Sequence, residues 1–270
     1  MSLTKKIDFA IIIRVKNANP NGDPLNGNRP RTNYDGFGEM SDVCIKRKIR
    51  NRLLDAGEAI LVQSDDYRND SSRSIKDRYD SAGLPKTKDS AEKALAACKK
   101  WIDVRAFGQV LAGVDDTNAS IAIRGPVSIQ SAFSVEPIDV SSLQITKSVN
   151  LTTNAKDPSQ KSGDTMGMKH RVDRGIYVTF GSMSRQLAEK TGFSDDDAEK
   201  LKGAMCHMFE NDESSARPSG SMEVLKVIWW THSGEVLASA KVHRSLTVNP
   251  DGSYVIDPLE GIATEELDGR

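Results

Sequence analysis

DFAIIIRVKNANPNGDPLNGNRPRTNYDGFGEMSDVCIKRKIRNRLL, residues 8–54, is the stretch whose reading decides the fold. Phe9 to Val15 is short, β-branched and flanked by polar residues, so it predicts a buried strand. Asn17 to Arg31 is rich in Asn, Gly and Pro, each of which favours turns for its own backbone reason, and it predicts a polar loop. From Ser41 the pattern becomes helical: Ser41 is placed to cap the first turn, and Ile45, Ile49 and Leu53 recur at i, i+4, i+8. At ~100° per residue the apolar stripe is narrow and has cations on both flanks. Lys46 and Arg50 lie to one side, Lys48 and Arg52 to the other, and Arg47 points nearly opposite. Taken alone, such a helix is more often a solvated face than a ligand site. Its alternative is a phosphate-contacting helix, assisted by Arg29 and Arg31 in the loop before it.

Composition neither supports nor excludes a polyanion partner. The 270 residues are 37% hydrophobic and 28% charged, with a formal net charge of -1. Nucleic-acid binding therefore has to rest on local patches rather than on the overall balance. No apolar run approaches the length needed to span a bilayer, and Lys5 and Lys6 lead into Asp8 rather than into a signal-peptide core. Cys44, Cys98 and Cys206 are scattered, without a CxxC, which predicts reduced thiols in a cytoplasmic protein. The histidines (His170, His207, His232 and His243) show no metal-ligand spacing, so neither a metal site nor a cofactor is predicted.

Downstream, residues 63–88 are polar and punctuated by Gly83 and Pro85, predicting a surface excursion. Asp89 and Glu92 open a helix whose apolar side is Ala94, Cys98, Trp101 and Ile102. A second helical pattern, Val104, Phe107, Val110, Leu111, runs to Gly113. Ile121 to Val135 is strand-rich with a break at Gly125–Pro126, suiting a bulge or an edge. Residues 147–174 (KSVNLTTNAKDPSQKSGDTMGMKHRVDR) form a long polar segment between strand-like runs at 143–149 and 176–180. Loops of that length in compact domains are usually functional. This one gathers Met166, Met168, Lys169, His170, Arg171 and Arg174, and pliable Met beside cations suits contact with bases and phosphates. Ser182 to Lys190 predicts a short helix, and Ser194 caps another with Ala198, Leu201, Met205, Met208 and Phe209 on one side. Met222 to Trp230 predicts a strand with Val236 to Val248 as its hairpin partner. The order of elements predicts an α+β domain carrying insertions.

Taken together, these blocks identify a resemblance. The chain resembles the backbone subunit of type I-C CRISPR surveillance complexes (Cascade), within the RAMP superfamily. The residues that carry it are NANPNGDPLNGNRPR (17–31), DVCIKRKIRNRLL (42–54), WIDVRAFGQVL (101–111), IRGPVSIQSAF (123–133), ITKSVN (145–150), DTMGMKHRVDRGIYVTFGS (164–182) and FENDESSARPSGSMEV (209–224). The chain departs from the family pattern at Met168, where a basic residue is expected.

The resemblance implies one modified RRM-like (ferredoxin-like) palm over residues 1–270, with a helical insertion at 56–120 and a thumb-like β-hairpin at 136–172. It implies a subunit that polymerises along the CRISPR guide RNA and grips its backbone without reading sequence. The guide then pairs with target DNA, the role delegated to RNA in such systems. Further copies of the chain, the crRNA-processing subunit and the large subunit are the implied protein partners, and no membrane is involved.

With the resemblance in view, the RNA-binding residues are expected to be Asn21, Arg29, Arg31, Lys46, Arg47, Arg50, Arg124, Gln130, Ser131, Lys147, Met166, Lys169, His170 and Arg171. Lys46 and Arg50 form the leading pair, with Arg47 as a further candidate and Lys48 and Arg52 assigned structural or solvated positions. No catalytic residue is expected. The contrasting reading is a metal-dependent endoribonuclease using Asp23 or Asp35, because related RAMP subunits cleave with an Asp in the loop after the first strand. Such chemistry needs converging metal ligands, whereas Asp23 in NGDP is suited to forming a turn. A small-molecule enzyme has no glycine-rich phosphate loop and no nucleophile elbow to recommend it.

Overall fold

The first strand, β1 (Ile7–Ala18), lies at the middle of the molecule and is buried on both sides along Phe9–Ile13. Its run FAIII is therefore continuous rather than alternating, as expected of a strand covered on both faces. Each large side chain so enclosed contributes roughly 1.5–3 kcal/mol. The computed structural model describes residues 1–85, 87–114, 120–147, 149, 159 and 166–270. Much of the segment expected at 147–174 lies outside them.

After β1, a small hairpin of β2 (Gly22–Asp23) and β3 (Arg29–Pro30) leads to β4 (Phe37–Met40) and helix α1 (Asp42–Asp55). Ser41 caps α1 by accepting a hydrogen bond from the Cys44 N–H (3.3 Å), and Ile45, Ile49 and Leu53 are buried, as the periodicity requires. Next come α2 (Ile75–Ser81), α3 (Ser90–Lys100) and α4 (Ile102–Phe107), then a hairpin of β5 (Gly108–Ala112) and β6 (Ser120–Arg124). The helix expected over 104–113 thus stops at Phe107. Gly108 has φ 77°, and a β-carbon there would collide with the Ile123 carbonyl oxygen, so the chain turns into a strand at the one residue able to do so.

The remaining strands are β7 (Val127–Ile129), β8 (Ala132–Pro137), β9 (Val140–Thr146), β10 (Met166–Met183), β11 (Met222–His232), β12 (Leu246–Val248), β13 (Tyr254–Ile256) and β14 (Ile262–Asp268). The helices among them are α5 (Arg185–Thr191), α6 (Asp195–Cys206) and α7 (Ser239–His243). In α6, Ser194 and Asp197 form a reciprocal capping box. The main sheet runs β14-β11-β1-β10-β8-β4, with β7 and β9 also paired to β10, and every pairing is antiparallel. Within it, the order β11-β1-β10-β8, with α1 following β1 and α5–α6 following β10, is a βαββαβ core. The α+β class expected from the sequence is observed.

On one face of the sheet, Phe9, Ile11, Ile13, Tyr177 and Trp229 pack with α1 and α6. On the other face, Ala10, Ile228 and Trp230 are covered by α7 and the β12–β13 hairpin. That cover corrects a second expectation: Val236–Val248 is not the partner of β11. Its helical and hairpin parts fold across the sheet, and β14 takes the edge beside β11. A small separate core of Leu61, Tyr79, Cys98, Trp101, Val104 and Leu111 supports the helical region.

Asp8 ties the cover to β1. His232 Nε2 lies 2.7 Å and Lys6 Nζ 3.1 Å from its Oδ2, and His243 Nε2 of α7 is 3.6 Å from its Oδ1. Burial alone would raise the Asp8 pKa. Hydrogen bonds with His243, Ser239 and His232, and the charge of Lys6, outweigh it and hold the carboxyl well below the usual range.

Candidate nucleic-acid interface

The cations of α1 are largely engaged inside the protein. Arg50 is buried. Its Nε lies 3.1 Å from Oδ2 of Asp103, and its guanidinium sits 5.0 Å from the centre of the Phe107 ring. Asp103, itself 0% exposed, also accepts the backbone N–H groups of Leu61 (2.9 Å) and Val62 (3.0 Å). Lys48 pairs with Asp212, and Arg52 with Asp55 and Glu210. Arg47 donates to the Val62 carbonyl (2.6 Å). Its pKa is lowered, first by burial and then by the neighbouring Arg50 charge. Lys46 is half-buried and 2.9 Å from Asp42. The helix therefore works largely as a staple, holding the segments at 61–62, 103 and 210–212 around itself. The leading pair is divided by this arrangement, with Arg50 turned inward and Lys46 retained at the surface.

A different grouping is formed where β3 meets the β9–β10 ladder. Arg29 Nη1 donates to Ser142 Oγ (2.8 Å) and lies 3.4 Å from His170 Nδ1, which is 2.9 Å from the same hydroxyl. The loop after the first strand and the distant 166–171 cluster thus come together. Along the ladder, Met166 faces Thr146, Met168 faces Gln144 and Lys169 faces Leu143. Leu143, Ile145, Met166 and Met168 are exposed. Apolar side chains on a solvated two-stranded arm are unusual unless something covers them. Arg171 lies 3.7 Å from Asp173, and Lys147, just beyond β9, is exposed. The residues 166–173 expected in a loop are instead the first half of β10, the longest strand of the sheet.

Asn21 is used internally: its amide oxygen accepts the Ser41 N–H (2.9 Å) and hydroxyl (3.0 Å). Arg31 lies 3.6 Å from Asp23. Asp23 also caps the short helical turn at Pro24–Asn26 by accepting from the Leu25 N–H (3.2 Å). Asp35 is an exposed turn residue whose N–H donates to Asn33. Among the described residues no three His, Cys, Asp or Glu side chains are grouped so as to hold a metal. Farther along, Arg124 is exposed at the end of β6. Gln130 and Ser131 lie between β7 and β8, where the Gln130 backbone is fixed by Phe180 (2.8 Å) and Thr179 (2.7 Å) while its side chain is exposed.

Residue-level reading of the sequence missed Lys16, which the register sets directly across from Arg174. Only the pairing of β1 with β10 reveals that adjacency. The two are separated by more than 150 positions in the chain, so no local pattern signals it.

A βαββαβ sheet whose loop after the first strand converges with an arm bearing cations and exposed methionines has the layout of a nucleic-acid-binding scaffold. In sequence, residues 5–264 match the family of the CRISPR-associated protein Cas7, and the chain belongs to that family. It is 27% identical over 239 residues to the CRISPR-associated protein Cas7 of Haloferax volcanii, covering 82% of this chain and 68% of the relative. Its fold is similar to that of a chain from a "CRISPR RNA-guided surveillance complex, pre-nicking", with TM-score 0.51 and 17% identity, over 88% of this chain and 81% of that one. This likeness concerns the fold and accords with an RRM-like core. Among the described residues no helix is long and apolar enough to cross a membrane.

Proposed function

We propose that this protein is the backbone subunit of a type I-C Cascade complex, polymerising along a CRISPR guide RNA and presenting it for pairing with target DNA. Membership of the Cas7 family supports the class. The observation that carries the reading is the convergence of Arg29 with Ser142 and His170 at the base of the β9–β10 arm, next to Lys169, Met166 and Met168. In this reading the arm is the thumb, and its exposed apolar side chains are covered by RNA or by the next copy. Arg29, Arg31, Lys46, Arg124, Lys147, Lys169 and Arg171 supply charge to the phosphates, and Gln130 and Ser131 supply hydrogen bonds to the backbone. Arg50, Arg47 and Asn21 act from within by holding the elements that present these groups. The crRNA-processing and large subunits complete the particle.

The subunit is proposed to be non-catalytic, since Asp23 already serves as a cap and as a partner of Arg31. Co-expression with a CRISPR RNA and negative-stain imaging should reveal a regular curved filament. Arg29→Glu with Lys169→Glu should prevent it while leaving a folded subunit. Complementary RNA given to the assembled particle with Mg²⁺ should remain intact. Unassembled wild-type protein, or regularly spaced cuts abolished by Asp23→Ala or Asp35→Ala, would overturn the reading.

A further inference from the structure

Lys16 and Arg174 are direct cross-strand partners on the sheet face opposite α1 and α6. Two residues away on the same face, Arg14 lies across from Ile176, and Ile176 lies beneath Gly252 in the turn between β12 and β13. The C-terminal cover therefore reaches Ile176 and stops short of the Lys16–Arg174 pair, whose residues are both exposed. The acid beside Arg174 in the chain and the one across from Arg14 are engaged elsewhere: Asp173 accepts from Ser141 (2.7 Å) and approaches Arg171, and Glu223 pairs with Arg14. Among the described residues neither Lys16 nor Arg174 has an ion-pair partner. Like charges directly opposite each other on paired strands destabilise a sheet. An anion placed between the two cations reverses the sign of that interaction.

The position of the pair indicates what kind of anion fits. Arg174 lies two residues beyond Val172, where the pairing of β10 with β9 ends, so the pair stands at the root of the arm. Along β10, His170 and Arg174 share one face by strand alternation and stand ~13 Å apart at a strand's rise per residue, with Lys169 and Arg171 on the other face. A lone phosphate cannot engage both ends of that span, whereas a phosphodiester chain can. We infer that Lys16 and Arg174 form a binding site for the sugar-phosphate backbone of a nucleic-acid strand, continuing the track of the arm onto the open end of the sheet. This inference rests on the guide-RNA reading above and adds to it two residues on the face opposite α1.

The test compares wild type with Lys16→Ala/Arg174→Ala, with Lys16→Arg as the charge-retaining control and Arg29→Ala in parallel. Fluorescence anisotropy with labelled single-stranded RNA is read over a salt series, and the assembled, guide-loaded particle is titrated with complementary single-stranded DNA. Loss of two phosphate contacts should flatten the RNA salt slope by about 1.4 and weaken binding for every sequence. Lys16→Arg should keep the slope, and the thermal midpoint of the double variant should equal or exceed that of wild type. A loss seen with RNA assigns the site to the guide, and one confined to the particle assigns it to the DNA strand. Unchanged slopes in both, with Arg29→Ala impaired, would overturn the inference and leave the guide-RNA reading standing. Absence of RNA binding by wild type would overturn both.

Discussion

Arg50 provides the sharpest test of what the basic helix does. In Arg50→Met the guanidinium is removed, but a side chain of similar reach remains against Phe107. Asp103 is then left 0% exposed with only the Leu61 and Val62 N–H groups to support its charge. Breaking one side of a buried ion pair costs about 3–5 kcal/mol, and the two retained backbone hydrogen bonds place this case near the lower end. For a domain of this size about 3 kcal/mol corresponds to a fall of about 5 °C in Tm. Melting curves of Arg50→Met, Asp103→Asn and the double variant should show strong coupling, with the double variant less destabilised than the sum of the singles. The RNA salt slope of Arg50→Met should match that of wild type. A variant that melts like wild type while its slope flattens by about 0.7, the signature of one lost phosphate contact on a single strand, would refute the internal role of Arg50 and restore it as an RNA ligand.

Two further outcomes are expected. Gly108→Ala should lower stability in urea titrations by about 3 kcal/mol, combining a φ of 77° with a collision against the Ile123 carbonyl; wild-type stability would show that the β5–β6 hairpin relaxes freely. For Asp8, the folded-state pKa lies below the unfolded value, so its contribution is complete above about pH 4 and drains away as pH falls through the folded value. The stability gap between wild type and Asp8→Asn should therefore narrow in urea titrations from pH 5 down to pH 2, and a gap that widens would contradict the hydrogen-bonded carboxylate.

What could be read from the sequence follows the range of the interactions involved. Ser41, Ser194 and Asp89 announce their helices because a cap binds an N–H only two or three residues away. The apolar run at Phe9–Ile13 announces a central strand because burial on both faces leaves no room for alternation. The α1 cations were visible, but their partners were not: Asp103 is 53 positions from Arg50, and Asp212 is 164 positions from Lys48. Local charge patterning therefore favoured outward-facing Lys46 and Arg50, and tertiary pairing turned Arg50 inward. The same limit hid the Lys16–Arg174 adjacency and the replacement of 236–248 by β14 beside β11. Conversely, Arg29 and the 166–171 cluster were each singled out in sequence, and the contact joining them could be seen only in the fold.

The central position of β1 has a consequence for how the protein is made. Its partners are residues 172–183 on one side and 222–231 on the other. Translation at about 5–20 residues per second leaves the first strand without either neighbour for many seconds. During that interval an apolar run that ends fully buried is exposed, and closing the sheet demands contacts of high sequence separation, which form slowly. A nascent chain shorter than about residue 232 has no complete core sheet, so folding, and any loading onto RNA that depends on it, must follow emergence of the chain through β11.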